Sequence, residues 1–179
     1  YIAGKAKYIE LCAYRLSTVG IGRENGATLG MSKSLYQGLF FAPHVVSQAL
    51  KTAILCAAVY EKLGFLVEPS SKEVRHDIIQ SIKLGSADAL MAFCEGIQKG
   101  SPVDAYVTPV PGDMPGYSDK VIMAAGAFTL GSSIELSADA PLREPFAVWL
   151  QGGLNFHSGK VAVMYAANEV LKRTEKEEN

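Results

Sequence analysis

Apolar and polar positions along the chain change period several times, and those changes divide it into elements. Tyr8, Leu11, Cys12 and Arg15 stand at helical spacing, which predicts a short helix over Lys7–Arg15. A longer stripe, capped by Ser32 or Ser34, runs through Leu35, Leu39, Val46, Ala49, Leu50, Ala53, Ile54, Ala57 and Leu63. Gly64 follows as the residue that ends it. Pro43 falls inside the stripe and predicts a kink or two abutting helices. At about 1.5 Å per residue, a helix from Ser34 to Leu63 is roughly 45 Å long, which suits an element running between two domains.

The second half alternates shorter patterns. Tyr1–Ala3 reads as the end of a strand, Phe65–Glu68 as a short strand, and Asp77–Leu84 as another with Ile78, Ile82 and Leu84 on one face. Ser86 caps a helix over Ala87–Lys99, with Asp88 in its first turn, Leu90, Phe93, Cys94 and Ile97 along one side, and Gly100 at its end. Three apolar runs follow, Val121–Thr129, Ser132–Ser137 and Pro145–Leu150, separated by short breaks that favour an antiparallel meander. Glu135 alternates with Ile134 and Leu136, so it points away from them and is either solvated or paired with a lysine. Asn155 caps a final helix whose inner face is expected to carry Val161, Met164, Tyr165, Asn168 and Leu171, before a solvated tail. The order predicts an α+β domain from about Leu55 onward, its antiparallel or mixed sheet covered by helices.

Two stretches lack periodicity. Ser17–Gly30 holds Gly20, Gly22, Gly26 and Gly30, so its backbone can approach a ligand closely. Ser101–Lys120 carries Pro102, Pro109, Pro111 and Pro115, yet Val103, Tyr106, Val107, Met114 and Tyr117 predict an ordered, partly buried loop.

Composition narrows the classes. The 179 residues are 49% hydrophobic and 20% charged with a net charge of −1, as in an ordinary soluble globular protein. That balance argues against a nucleic-acid partner and against a polybasic membrane anchor. The pattern shows no apolar run of about 20 residues, so no membrane span is expected. Cys12, Cys56 and Cys94 are odd in number and lack CxxC spacing, which predicts buried free thiols in a reducing, cytoplasmic setting. The opening YIAGK, starting at Tyr1, reads as the interior of a longer protein.

Few residues offer chemistry. Arg143, in a strand-end loop, presents a guanidinium fork that can take a carboxylate, or it is consumed by a local salt bridge to Glu144 or Asp139 or left exposed. Lys5 reads as a surface lysine. His44, His76 and His157 lack metal-ligand spacing, the glycine-rich loop lacks GxGxxG or Walker spacing, and Ser132-Ser133 lacks a GxSxG context.

Several strings carry a resemblance. GATLG followed three residues later by SLYQGLFFAPHVVSQALK (from Gly26), DIIQSIKLGS (from Asp77), SPVDAYVTPVPGDMPGYSDKVIMAAG (from Ser101) and GSSIELSADAPLREPFAVWLQGGL (from Gly131) resemble the methionine gamma-lyase-like, or aluminium-resistance, family of cystathionine β-lyase-type enzymes. The resemblance implies pyridoxal phosphate (PLP) as cofactor and the aspartate-aminotransferase type fold (fold type I). It implies a carbon–sulfur lyase acting on cystathionine, methionine or cysteine, with a thiol leaving the β or γ carbon. The lysine that binds the cofactor in such a family is expected upstream of Tyr1, so no catalytic residue is expected in this chain, and Lys5 is not that lysine. Residues 1–50 would be the tail of the large domain and the start of an interdomain helix, and residues 51–179 the small domain. Arg143 would bind the substrate carboxylate, and Gly22, Gly26 and Thr28 would contact cofactor or a neighbouring subunit in a homo-oligomer, dimer or tetramer. The missing large domain and the amino-acid substrate are then the expected partners. The sequence departs from the family pattern at Val19, where proline is usual, and at Phe156-His157-Ser158, where Tyr-Glu-His is usual. A stand-alone small-molecule-binding or regulatory α+β domain without catalysis is the alternative.

Overall fold

A computed structural model describes residues 2–15, 30–126 and 135–177, with side chains to 174. The chain divides into two compact units, Tyr1–Phe41 and Ala42–Asn179. This break and the expected domain boundary after residue 50 both fall inside one helix.

The first unit holds α1 (Ala6–Arg15) and the opening turns of α2 (Ser32–Lys62). None of its described residues is buried, and Tyr8, Leu11, Tyr14, Leu35, Tyr36, Leu39, Phe40 and Phe41 are all exposed. Ile2 and Ala3, expected at a strand end, have no regular structure. The helix runs unbroken through Pro43, where two abutting helices were one of the two expectations. By length and composition α2 is, among the described helices, the one able to cross a membrane, which corrects the expectation that no segment qualifies. From Ala49 to Tyr60, however, its buried side chains belong to the core of the second unit. It ends where the glycine predicts. The Gly64 N–H donates to Glu61 O (3.1 Å) and the Phe65 N–H to Tyr60 O (3.0 Å), with Gly64 at φ +85°. Phe65 then packs on Tyr60, ring centroids 5.7 Å apart, as the apolar contact of a Schellman cap.

The second unit contains β1 (Leu66–Glu68), β2 (Gln80–Lys83), α3 (Ala87–Lys99), β3 (Val121–Ala125), β4 (Leu136–Pro141), β5 (Ala147–Gly152) and α4 (Phe156–Glu177). The strands form one antiparallel sheet in the order β1-β2-β5-β4-β3. β3, β4 and β5 are the expected meander, and β5 alone carries it across to β2 through Gln80↔Leu150 and Ile82↔Val148. Ile82, Ile122, Ala124, Leu136, Ala138, Ala140, Val148 and Leu150 turn one face inward onto Leu90, Phe93, Cys94 and Ile97 of α3 and onto Cys56 and Tyr60 of α2. Cys56 and Cys94 are buried free thiols as expected, their pKa values pushed up by that burial, while Cys12 is half-buried.

Strand limits differ from the pattern. The middle strand spans Leu136–Pro141 rather than Ser132–Ser137. Ser-Ala-Asp-Ala has weak strand propensity, but its alanines fit beneath the helices and their pairing with β3 and β5 overrides propensity. Residues 127–134 lie outside the described ones. β2 starts at Gln80, not Asp77, because the Asp77 carboxylate accepts the Ile79 N–H (2.8 Å) and holds a turn there. α3 has its expected bounds, with Ser86 Oγ accepting the Ala89 N–H (3.2 Å).

The larger correction concerns α4. Its buried face is Ala162, Val163, Ala166, Ala167 and Val170, whereas Val161, Met164, Tyr165, Asn168 and Leu171 face outward. α3 explains it. A Cβ placed on Gly96 would lie 2.3 Å from Ala166 Cα, and one on Gly100 2.4 Å from Ala162 Cα. The two helices therefore approach so closely that only the small face of α4 can turn inward. Its first turn is pinned to α2, with the Phe156 N–H donating to Gln48 Oε1 (3.0 Å) and the Gly159 Cα site against Thr52 Oγ1.

Gly96→Ala should therefore lower unfolding stability by about 1–3 kcal/mol through overpacking, read by denaturant unfolding of the chain. Gly38→Ala, on a helical site with nothing within 4 Å, should raise it by roughly 0.5–1 kcal/mol. Equal effects would contradict the close helix contact. The uncovered first unit predicts self-association of the 179-residue chain in light scattering, and a clean monomer would contradict that.

Candidate functional site

Arg143 sits in the connection between β4 and β5, and backbone bonds shape that turn tightly. The Arg143 N–H donates to Pro141 O (2.9 Å) and the Phe146 N–H to Arg143 O (2.8 Å). On either side, the Leu142 N–H donates to Lys120 O (2.8 Å) and the Leu84 N–H to Phe146 O (2.9 Å). Phe146 takes φ +53°, and the Glu144–Pro145 peptide is cis. The main chain is thus anchored to β2 and to the start of β3, while the guanidinium stands 55% exposed at the sheet end.

Its partner is Asp119, with Nη1 to Oδ2 at 3.5 Å, rather than Glu144 or Asp139. Ser118 Oγ donates to the same carboxylate at 2.9 Å. Such an exposed pair contributes only about 0–1 kcal/mol, so Asp119 holds the guanidinium weakly. The arginine is presented to solvent and is not locked into a structural network.

Asp119 comes from the proline-rich loop, and buried Gln98 fixes that loop. Gln98 Nε2 donates to Asp104 O (3.0 Å) and Ala125 O (3.1 Å), and its Oε1 accepts the Ala125 N–H (2.9 Å). Ser101 Oγ donates to Ile97 O (2.7 Å), and Gly112 bridges Val121. The expected partial burial holds for Val103 and Met114, whereas Tyr106, Val107 and Tyr117 are exposed, so it is these polar bonds rather than apolar packing that fix the loop. Gln98 itself escaped the sequence reading: it sits beside Ile97 at the end of an amphipathic helix, and the one available signal is an uncharged polar residue on the apolar side.

Gly22, Gly26 and Thr28 lie outside the described residues. Lys5 is exposed in the first unit. Among the described residues, no group of three His, Cys, Asp or Glu side chains could hold a metal ion.

Asp139 lies in the same strand as the arginine's anchor. It is half-buried, its Oδ1 has no hydrogen-bond partner among the described residues, and burial pushes its carboxyl pKa up. Met123 and Trp149 stand directly opposite it on the flanking strands.

The profile of the methionine gamma-lyase family matches residues 1–171. The carbon–sulfur lyase involved in aluminum resistance from Clostridium novyi NT is similar in structure, with TM-score 0.83 and 53% identity over 94% of this chain and 39% of that one. A Listeria monocytogenes protein described as a candidate cystathionine beta-lyase involved in aluminum resistance gives TM-score 0.85 and 46% identity over 94% of this chain and 42% of that one. The uncharacterized Bacillus subtilis protein YnbB is 50% identical over 173 residues, 97% of this chain and 41% of its own length. The chain therefore spans about two fifths of the length of these relatives.

Because Asp139 binds its proton more tightly folded than unfolded, the folded state bears a penalty for its charge. That penalty is absent below the ordinary aspartate pKa of about 3.9, grows as pH rises toward the raised folded value, and is complete above it. Asp139→Asn should raise the melting temperature at neutral pH and lose that advantage in acid. A gain independent of pH would rule out the ionisation penalty.

Proposed function

The chain belongs to the methionine gamma-lyase family, and on that footing we propose that it forms the C-terminal part of a PLP-dependent carbon–sulfur lyase acting on a sulfur-containing amino acid. The observation that carries this reading is the family match over nearly the whole chain, supported by the likeness to the Clostridium novyi lyase. In it, the second unit is the small domain of a fold type I enzyme and the first unit the end of the large domain. The apolar surface of Leu35, Leu39, Phe40 and Phe41 would then be covered by the rest of a longer protein or its oligomer, in the cytoplasm.

Two clefts of the second unit do not fit the cofactor by themselves. The cavity at the start of α4 is lined by Gly153, Asn155, Ser158 and Gly159 but contains no lysine. The cleft that contains Lys83 has no helix N-terminus to hold a phosphate. On this reading the cofactor is anchored by the part of the relatives that this chain does not match.

What the second unit offers is orientation. Arg143 exchanges Asp119 for the substrate carboxylate, and its bidentate fork fixes the direction of that group. The turn that carries it is held by four backbone bonds, so the main chain from which the fork extends stays in place when the partner changes.

The test uses the family-length protein containing this chain. It should bind PLP, read by the visible absorbance of the lysine-bound cofactor, and release thiol from cystathionine, methionine or cysteine. Failure to bind PLP would end the proposal. Arg143→Ala should keep the absorbance and lose about 2–3 kcal/mol of substrate binding, roughly 30- to 150-fold in kcat/KM. Unchanged kinetics would remove Arg143 from the site.

A further inference from the structure

The helices cover one face of the sheet, and the other face carries a cleft of about 440 Å³ lined in part by Glu68, Asp77, Ser81, Lys83, Ala147 and Trp149. Strand register builds it. Glu68 stands opposite Ser81 and Ser81 opposite Trp149, so the three form one row across β1, β2 and β5. The small serine between two larger side chains gives the row its depth. At about 4.8 Å per strand, Glu68 and Trp149 are roughly 10 Å apart along the row. Lys83, two residues beyond Ser81 and so on the same face, lies diagonal to Glu68, their backbones about 7–8 Å apart.

Two of the charges here are not consumed: among the described residues, no ion pair takes Glu68 or Lys83. Asp77 is already engaged, one oxygen accepting the Ile79 N–H and the carboxylate interacting electrostatically with Arg75, whose guanidinium donates to Ile79 O and Pro69 O at the cleft. Trp149 remains 39% exposed although Val148 and Leu150 beside it are buried.

We propose that this cleft binds a small zwitterion with an apolar body. Its ammonium is held by Glu68, its carboxylate by Lys83, and its body by the Trp149 indole. A simple anion would leave Glu68 unanswered and a simple cation would leave Lys83 unanswered. A molecule that carries an ammonium and a carboxylate on one carbon answers both. The cleft volume falls within the range of small-molecule sites. Arg143 does not line the cleft, so the inference stands independently of the lyase reading.

Trp149 is the one tryptophan of the chain, so its fluorescence reports the site directly. L-leucine should change that emission saturably. Leucinamide, without the carboxylate, and N-acetyl-leucine, without the ammonium, should each bind about fivefold more weakly, the yield of one exposed charge contact of up to about 1 kcal/mol. Lys83→Met should abolish the preference over leucinamide, and Glu68→Gln should reduce that over N-acetyl-leucine. Both positions are exposed, and circular dichroism checks that each variant folds. No saturable change with leucine, equal binding of the three compounds, or an unaltered preference in Lys83→Met would each overturn the proposal.

Discussion

The contact on which the second unit depends is the crossing of α3 and α4 through Gly96 and Gly100 against Ala162 and Ala166. Gly96, inside α3, weakens that helix by roughly 1 kcal/mol relative to alanine. In exchange the backbones come close enough for Phe93 and Ile97 on one side and Val163 and Val170 on the other to share a single core with the sheet. Such close packing allows little latitude in rotation. The orientation of α4 therefore follows from the absence of two side chains on another helix, and its own larger apolar residues are left outside.

That crossing also decides which face of the sheet is available. With α3, α4 and the second half of α2 on one side, the inward positions of all the longer strands are committed to packing. Small residues, Ala124, Ala138 and Ala140, accept the helices from below. The opposite face is free to hold side chains with chemistry: Asp139, Trp149, Ser81 and Lys83. The turn carrying Arg143 hangs from the end of the same strands, tied to β2 and β3 by its backbone while its side chain stays in solvent. The main chain there is fixed, while the Arg143 side chain keeps its rotamer freedom and would have to lose it on binding.

The first unit follows a different logic. Its helices bury none of their described residues, and its aromatic and aliphatic side chains face outward. On the proposed reading, that exposed apolar surface is covered by the rest of a longer protein or its oligomer. The Bacillus subtilis and Clostridium novyi relatives are more than twice as long as this chain.

Much was legible in the sequence by itself. The bounds of α3, the Gly64 cap, the antiparallel meander and the family strings rest on local rules of period, capping and turn chemistry, which act between residues close in the chain. The end of the middle strand, the partner of Arg143, the role of Gln98 and the buried face of α4 were not legible. Asp119 lies 24 residues from Arg143, and Gln98 bonds 27 residues away. The α4 stripe of Val161, Met164 and Tyr165 obeys helical period as well as the buried alanines do. Period alone says that a helix has an apolar side, and only the approach distance of its neighbour selects which side turns inward.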